Sequence, residues 1–362
     1  MALLDALRVA ARTIPTDAPE SDGTLSWDST TIVLVEVVAG GVAGLGWTYA
    51  DAAAAEVIRG RLRSALEDVD LDDVGAAWMA MRRAVRNDGS GGLAACAISA
   101  VDVALWDRRA RASRVPLAVA LGAFRRTVPV YGSGGFCSYD DARLREQLGG
   151  WAAAGMRAVK MKVGADPEAD PHRVRVAREA IGPDVSLFID ANGAWDPREA
   201  VRRASVLDVA GGGLDWLEEP VSSADRDGLR FVRAHAPARV PVAAGEYVWG
   251  PEDARDLLVA GAVDVLQADA TRCCGLTGFR AIGALAAAHG IPLSPHCSPA
   301  LHAHAGCAVE RLGPLEYFHD HVRIEERTFT GVLVPRDGAL HLDGDRPGHG
   351  LTLREPLSGG EG

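Results

Sequence analysis

From about Val128 onward, short apolar runs alternate with longer amphipathic stretches. The runs are VPVYGS (128–133), AVKMKVG (158–164), SLFIDAN (186–192), DWLEEP (215–220), VPVAAGE (240–246), DVLQAD (264–269), IPLSPH (291–296) and LEYF (315–318). Between them lie stretches of helical pattern such as DDARLREQLGGWAAAG, DPREAVRRASVLDVAGG and GPEDARDLLVAGAV. Two of these open on Asp-Pro or Gly-Pro followed by acids, which is helix-start chemistry. Eight strands separated by single helices predict an α/β fold, a parallel sheet closed into a barrel.

The first part of the chain has a different rhythm. Segments 5–14, 31–38 and 43–47 read as strands, with a turn at Gly40–Gly41, and helical stretches follow over about 50–67, 73–86 and 92–113. This is an α+β module ahead of the barrel. After about residue 322 short strand-like pieces return, TGVLVP and GALHL. They cannot extend a closed barrel, so they are expected to pack back on the first module. The PLSGGEG end is expected to fray. The chain therefore divides into 1–125, 126–321 and a returning segment 322–362.

Composition narrows the function. Hydrophobic residues make up 48% of the 362, enough for a large core. The net charge of −11, with no block of basic residues, argues against nucleic acid or an anionic membrane as partner. The apolar stretches Thr30–Leu45 and Leu93–Trp106 are interrupted by Glu36 and Asp102, so neither suits a bilayer. Asp5 and Arg8 stand where a secretion signal needs an apolar core. The six cysteines form no CxxC pair and read as thiols in a reducing cytoplasm.

Among 38 Lys and Arg residues, the only lysines are Lys160 and Lys162, one residue apart. Arg stays protonated in proteins, whereas Lys can be tuned to give up its proton. In a strand the two share one face, with Val159, Met161 and Val163 on the other. The apolar set must face the helices, so the lysines point toward the barrel mouth, where burial needs anions nearby. The other strands end in Asp190 and Asn192, Glu218 and Glu219, Glu246, Asp269, His296 and Glu316. Singly, each has an ordinary explanation: an acid at a strand end often caps the next helix. Jointly they describe the active face of a barrel.

Asp190, Glu218 and Glu246 offer three hard oxygens on adjacent strands, a set that suits Mg²⁺. Asp269 and His296 end neighbouring strands, so the acid can orient and charge the ring. A cation, an amine and an imidazole together suit removal of a proton next to a carboxylate, where the enediolate gathers a second negative charge. Glu316 is expected to be a protonated acid on the far oxygen, and Lys162 an uncharged amine base beside Lys160. A Schiff-base aldolase would also use a strand-end lysine, and a non-catalytic binding protein would need none of these groups. Neither explains three converging acids. The HDH run at 319–321 invites a metal reading but lies past the strand end without a partner cluster.

These motifs resemble the enolase superfamily, in its mandelate racemase subgroup. They are KxK (160–162), DAN (190–192), EEP (218–220), GE (245–246), the Asp of DATRCCGLTG (269–278), SPH (294–296), LEYF (315–318) and, before the barrel, SAVDVALWD (99–107). The superfamily is a standing example of Lys or His bases working with Mg²⁺. The resemblance implies a modified (β/α)₇β barrel with an α+β capping domain formed by the N-terminal part and the tail. It implies Mg²⁺ held by Asp190, Glu218 and Glu246, Lys162 as base tuned by Lys160, the His296–Asp269 dyad on the other face and Glu316 as electrophilic acid. Asn192, Ser133, Trp47 and Tyr49 are candidates for substrate contact, with Glu219 and Trp27 beside them. Segments 15–29 and 46–51 would be lids over the site. The expected reaction is dehydration of an acid sugar to a 2-keto-3-deoxy acid, with racemisation, epimerisation or cycloisomerisation as the alternative. The expected partner is a small carboxylate, and the expected assembly a dimer or octamer. Cys273–Cys274 stand where the family often has a Gly pair, and LAVALGAF (117–124) lacks the fuller Gly ending.

Overall fold

The computed structural model describes residues 1–342 and 344–357. Of the PLSGGEG end, residues 358–362 lie outside the described residues.

The chain opens with an antiparallel sheet of β1 (Leu4–Ser21), β2 (Ser26–Ala39) and β3 (Val42–Tyr49), in that order. Gly40 and Gly41 both have positive φ, 58° and 73°, which a two-residue hairpin turn demands. The segment 15–29, expected as a loop, instead prolongs the β1–β2 hairpin. Pairing lapses between Pro15 and Glu20, where Pro15 and Pro19 lack N–H donors, and resumes at Glu20–Trp27 and Ser21–Ser26. At the tip, the Asp22 carboxylate accepts the N–H groups of Thr24 and Leu25. Gly23 there lies so close to the barrel that a Cβ would fall 2.5 Å from the Ala191 carbonyl oxygen and 2.7 Å from that of Val163.

Three helical stretches follow. The first, Ala53–Leu66, contains a π-helical turn at Ile58–Leu62; the others are Val74–Ala84 and Leu93–Ala112. Asp73 caps the second by accepting from Ala76 N–H. The third is buried almost all round because β3 covers one side and the barrel helix Gly275–Ala288 another. Its run of small residues meets Gly44 and Gly46 on β3. A Cβ at either glycine would stand 2.1 Å from a helix carbonyl, that of Ala104 or Ala100. Buried Asp102 on this helix accepts both the N–H and the hydroxyl of Thr277, tying the module to the barrel.

The barrel strands are β4 (Thr127–Gly134), β5 (Ala158–Lys162), β6 (Ser186–Asp190), β7 (Trp216–Glu218), β8 (Val242–Ala244), β9 (Val265–Ala268), β10 (Leu293–Pro295) and β11 (Leu315–Phe318). They are hydrogen-bonded in the order β10-β9-β8-β7-β6-β5-β4-β11, all parallel. Between β10 and the approach to β11 the chain is joined by Leu293 N–H to Arg311 O at 2.9 Å and Gly313 N–H to Leu293 O at 2.8 Å. Tyr131, Phe188 and Trp216 fill the interior. The fold is thus a modified (β/α)₇β barrel with an α+β cap.

The tail supplies β12 (Phe329–Thr330), β13 (Ala339–His341) and β14 (Thr352–Leu353). β12 pairs with β14, and β13 runs antiparallel on β4. Buried His349 bonds the Leu45 carbonyl at 2.9 Å through Nε2, and its backbone N–H donates to Asp107 on the long helix. No described helix is long and apolar enough to cross a membrane.

Candidate active site

Strand alternation sets the two lysines. Val159, Met161 and Val163 join the apolar layer beneath the helices, which turns Lys160 and Lys162 inward. Each ammonium meets acids from neighbouring strands. Lys160 Nζ donates to Glu218 and lies 2.8 Å from Glu316 and 3.5 Å from Asp190. Lys162 Nζ donates to Asp190. Across the mouth, His296 follows β10. Its Nδ1 is 3.0 Å from Asp269, and its Nε2 is 3.0 Å from Glu246 and 3.5 Å from Glu316.

A second ring of contacts fixes these groups. The Asp269 carboxylate accepts the N–H and hydroxyl of Thr271, each at 2.7 Å. Glu316 accepts from the Ser133 hydroxyl at 2.6 Å and the Cys297 N–H at 3.2 Å. Trp216 Nε1 donates to Glu218 at 3.0 Å. Asn192, Glu219, Cys297 and Ser298, each just beyond a strand end, hold positive φ between 35° and 52°. Such backbone is costly for residues with a Cβ, and it concentrates here at the mouth. The vicinal pair follows the same rule: Cys274 has φ 60°, and a Cβ on the next residue, Gly275, would stand 2.3 Å from Asp102.

Electrostatics bear on the expected charge states of Lys162 and Glu316. Burial opposes the Lys162 ammonium most strongly, but Asp190 together with the other acids around it, Glu246 and Glu218, raises the amine above its ordinary value, against a push from Lys160. In this arrangement of side chains the ammonium is the favoured form of Lys162. Burial likewise disfavours the Glu316 carboxylate, yet Lys160 and His296 hold it well below the usual range. Glu316 is ionised here, because two cations and a hydroxyl reach it. His296 is held well above its ordinary value: burial opposes the imidazolium, and Cys297, Glu316 and Asp269 overcome it. Glu218 is pushed up to about 8 by burial and by Asp190.

A cavity of about 400 Å³ opens over this face, between barrel and cap. Of the residues singled out in the sequence, Lys162, Asn192, Glu246, His296, Glu316, Tyr49 and Trp27 line it. Lys160, Asp190 and Asp269 sit behind the wall, bonded to Glu316, Lys162 and His296 of the lining, and Glu218 is bonded to Lys160. Two substrate candidates are displaced. Trp47 is fully buried in the cap, donates to Ser298 Oγ at 3.1 Å and packs on Phe329 and His349. Ser133 is also buried and spends its hydroxyl on Glu316. The HDH run splits three ways. His319 faces Asp17, Asp320 holds Arg323, and His321 turns into the cavity and stacks on Tyr49. Sequence reasoning missed Arg272, Tyr247 and Cys297, which also line the cavity. Tyr247 and Cys297 directly follow the GE and SPH motifs and Arg272 lies within the Asp269 motif, the one signal available.

The donor set fits a divalent cation. Asp190, Glu218 and Glu246 offer only oxygens. Beside them, Glu219 Oε1 and Asn192 Oδ1 are buried without a hydrogen-bond partner. Burial, then Glu246, Asp190 and Glu218, push the Glu219 carboxyl well up. That is an excess of buried negative charge of the kind Mg²⁺ neutralises. The three expected ligands are not drawn together on one point: Glu246 reaches His296, while Asp190 and Glu218 hold the lysines.

Comparison with known proteins gives concordant matches. A family model described as enolase C-terminal domain-like matches residues 143–357. One for the mandelate racemase / muconate lactonizing enzyme N-terminal domain matches residues 7–122. The chain is 32% identical over 320 residues to L-talarate/galactarate dehydratase of Salmonella typhimurium, covering 87% of this chain and 78% of that protein. It is 35% identical over 321 residues to 3,6-anhydro-alpha-L-galactonate cycloisomerase of Streptomyces coelicolor, covering 86% of each. Its structure matches a mandelate racemase/muconate lactonizing enzyme-like protein from Rubrobacter xylanophilus with TM-score 0.95 and 53% identity, covering 97% of each chain. A racemase from Streptomyces coelicolor A3(2) with bound magnesium matches with TM-score 0.90 and 31% identity, again over 97% of each.

Proposed function

Because the chain belongs to the mandelate racemase / muconate lactonizing enzyme family, we propose that it is a Mg²⁺-dependent enzyme that removes the proton α to a carboxylate and dehydrates an acid sugar. One observation carries this reading. Lys162 and His296 line the same cavity from opposite parts of the barrel mouth, with four strands between β5 and β10 one way and two the other. A carbon acid held between them has a proton acceptor on one side and a donor on the other.

Asp190, Glu218 and Glu246 would hold the cation. When bound, Mg²⁺ supplies positive charge that offsets the second negative charge of the enediolate and competes with Lys162 for Asp190. The Lys162 ammonium would first release its proton to solvent, and the free amine then accepts the proton from C2, next to the protonated Lys160 that keeps its basicity in check. His296, kept cationic by Asp269 and Glu316, delivers its proton to the departing C3 hydroxyl, which leaves as water as the C3–O bond breaks. The enol that remains tautomerises to the 2-keto-3-deoxy acid. Glu316, fixed by Ser133 and Lys160, holds the position of His296.

Racemisation, epimerisation and cycloisomerisation share the first step, and a cycloisomerase stands among the relatives. Incubating the enzyme and Mg²⁺ with acid sugars in deuterated water separates the outcomes. Keto acid formation supports dehydration. Deuterium at C2 in recovered starting acid or its epimer, without keto acid, replaces it with the isomerase reading. An assembly of two or eight subunits and a cytoplasmic location, suited to six free thiols, belong to the same proposal and are tested by light scattering and fractionation.

A further inference from the structure

The barrel side of the cavity carries its cations, Lys162 and Arg272, next to the reacting groups. Arg272 is already engaged there: its Nε lies 3.9 Å from Asp269 and it donates to the Glu246 carbonyl. Among the described residues, no Lys or Arg lines the cap side. The cap contributes Asp22 and Asp51 together with Trp27 and Tyr49. A second carboxylate at the far end of a substrate would face two acids and no cation.

Where the barrel wall meets the cap, on the helix that follows β11, His321 offers a fixed neutral donor. The Ser298 backbone N–H donates to His321 Nδ1 at 3.1 Å. A backbone N–H can only donate, so Nδ1 is an acceptor and the neutral ring carries its proton on Nε2. Tyr49 stacks on the ring at 3.5 Å between centroids, interplanar angle 17°, which sets its plane. Nε2–H has no partner within the described chain, and His321 lines the cavity. A hydroxyl fits this arrangement, because it can accept from Nε2–H and still donate its own proton to another oxygen.

We infer that the substrate is a monocarboxylate with an uncharged polyhydroxyl tail, an aldonate and not an aldarate, and that His321 Nε2–H binds a tail hydroxyl. The inference rests on the enolisation reading above and narrows its substrate class. The test compares aldonates with aldarates of the same length and configuration, with Mg²⁺ in deuterated water, following C2 exchange and keto acid. The expected result is turnover of at least one aldonate with kcat/KM about 100-fold or more above its matched aldarate. His321→Phe should raise KM about tenfold with a smaller change in kcat, and His321→Gln, which keeps an N–H near the Nε2 position, should recover most of that loss. An aldarate handled as well as its matched aldonate overturns the inference and leaves proton abstraction standing. A Gln variant no better than Phe removes His321 from substrate binding. No exchange with any acid of either class overturns the enolisation reading and the inference with it.

Discussion

Lys162 reaches the cavity and Lys160 does not, although only Met161 separates them. Their partners explain the difference in role: Lys160 sits among Glu218, Glu316 and Asp190, while Lys162 has one close acid, Asp190. Lys162→Met should lower kcat by about a hundred- to ten-thousand-fold and remove C2 exchange for one substrate configuration, read by NMR in deuterated water. Exchange surviving for both configurations would take the base role from it. Trp47 makes the opposite prediction. Trp47→Phe loses its bond to Ser298 and should cost about 1 kcal/mol in denaturant unfolding, with KM unchanged, since the indole is buried away from the cavity. Residue identities and facing were readable from the chain, because strand alternation dictates them. Charge states were not. The ionisation of Glu316 and the protonation of Lys162 depend on partners from other strands, some more than a hundred residues away, that no local pattern places. Trp47 next to Tyr49 was misread for a related reason: alternate residues share a strand face, but the twist and end of β3 leave only Tyr49 at the cavity.

At the level of elements, the β1–β2 hairpin is the least expected part. Segment 15–29, expected to be a lid over the site, resumes strand pairing beyond its two prolines and carries the tip onto the barrel. Within it, buried Glu20 accepts from Trp27 Nε1 at 3.0 Å. Burial and then Asp320 push its carboxyl up to about 9. A folded-state value above the unfolded one favours the protonated form. The stability this group contributes is therefore full below about pH 4.5 and is lost as pH rises toward 9. Glu20→Gln, neutral throughout, should flatten that slope and exceed the wild type by about 1 kcal/mol at pH 8.5, measured by denaturant unfolding at pH 5 and pH 8.5. The β3–helix contact is equally specific. Gly46→Ala would drive a methyl group to 2.1 Å from the Ala100 carbonyl oxygen. A loss of about 3 kcal/mol is expected in the same assay. The barrel strands, by contrast, were legible in order and place, with runs that overreach several strands at their ends, because buried parallel strands are short apolar runs set off by polar ends.

For the molecule as a whole, the crowd of buried acids ties stability to the cation. Mg²⁺ at about a hundred times its dissociation constant should add about 2.7 kcal/mol to unfolding, seen as a rise in Tm. A chelator should reverse the rise and abolish turnover together. Activity that persists after exhaustive chelation would remove the metal from the reaction.

The tail also decides how the polypeptide holds together. β13 is stitched to the first barrel strand and His349 to the opening module, so one closing segment sutures the start of the barrel to the module before it. A single backbone cut in the 123–142 stretch would sever the chain without parting its pieces, because the closing segment bridges both. Removing everything after residue 338 would undo both sutures at once.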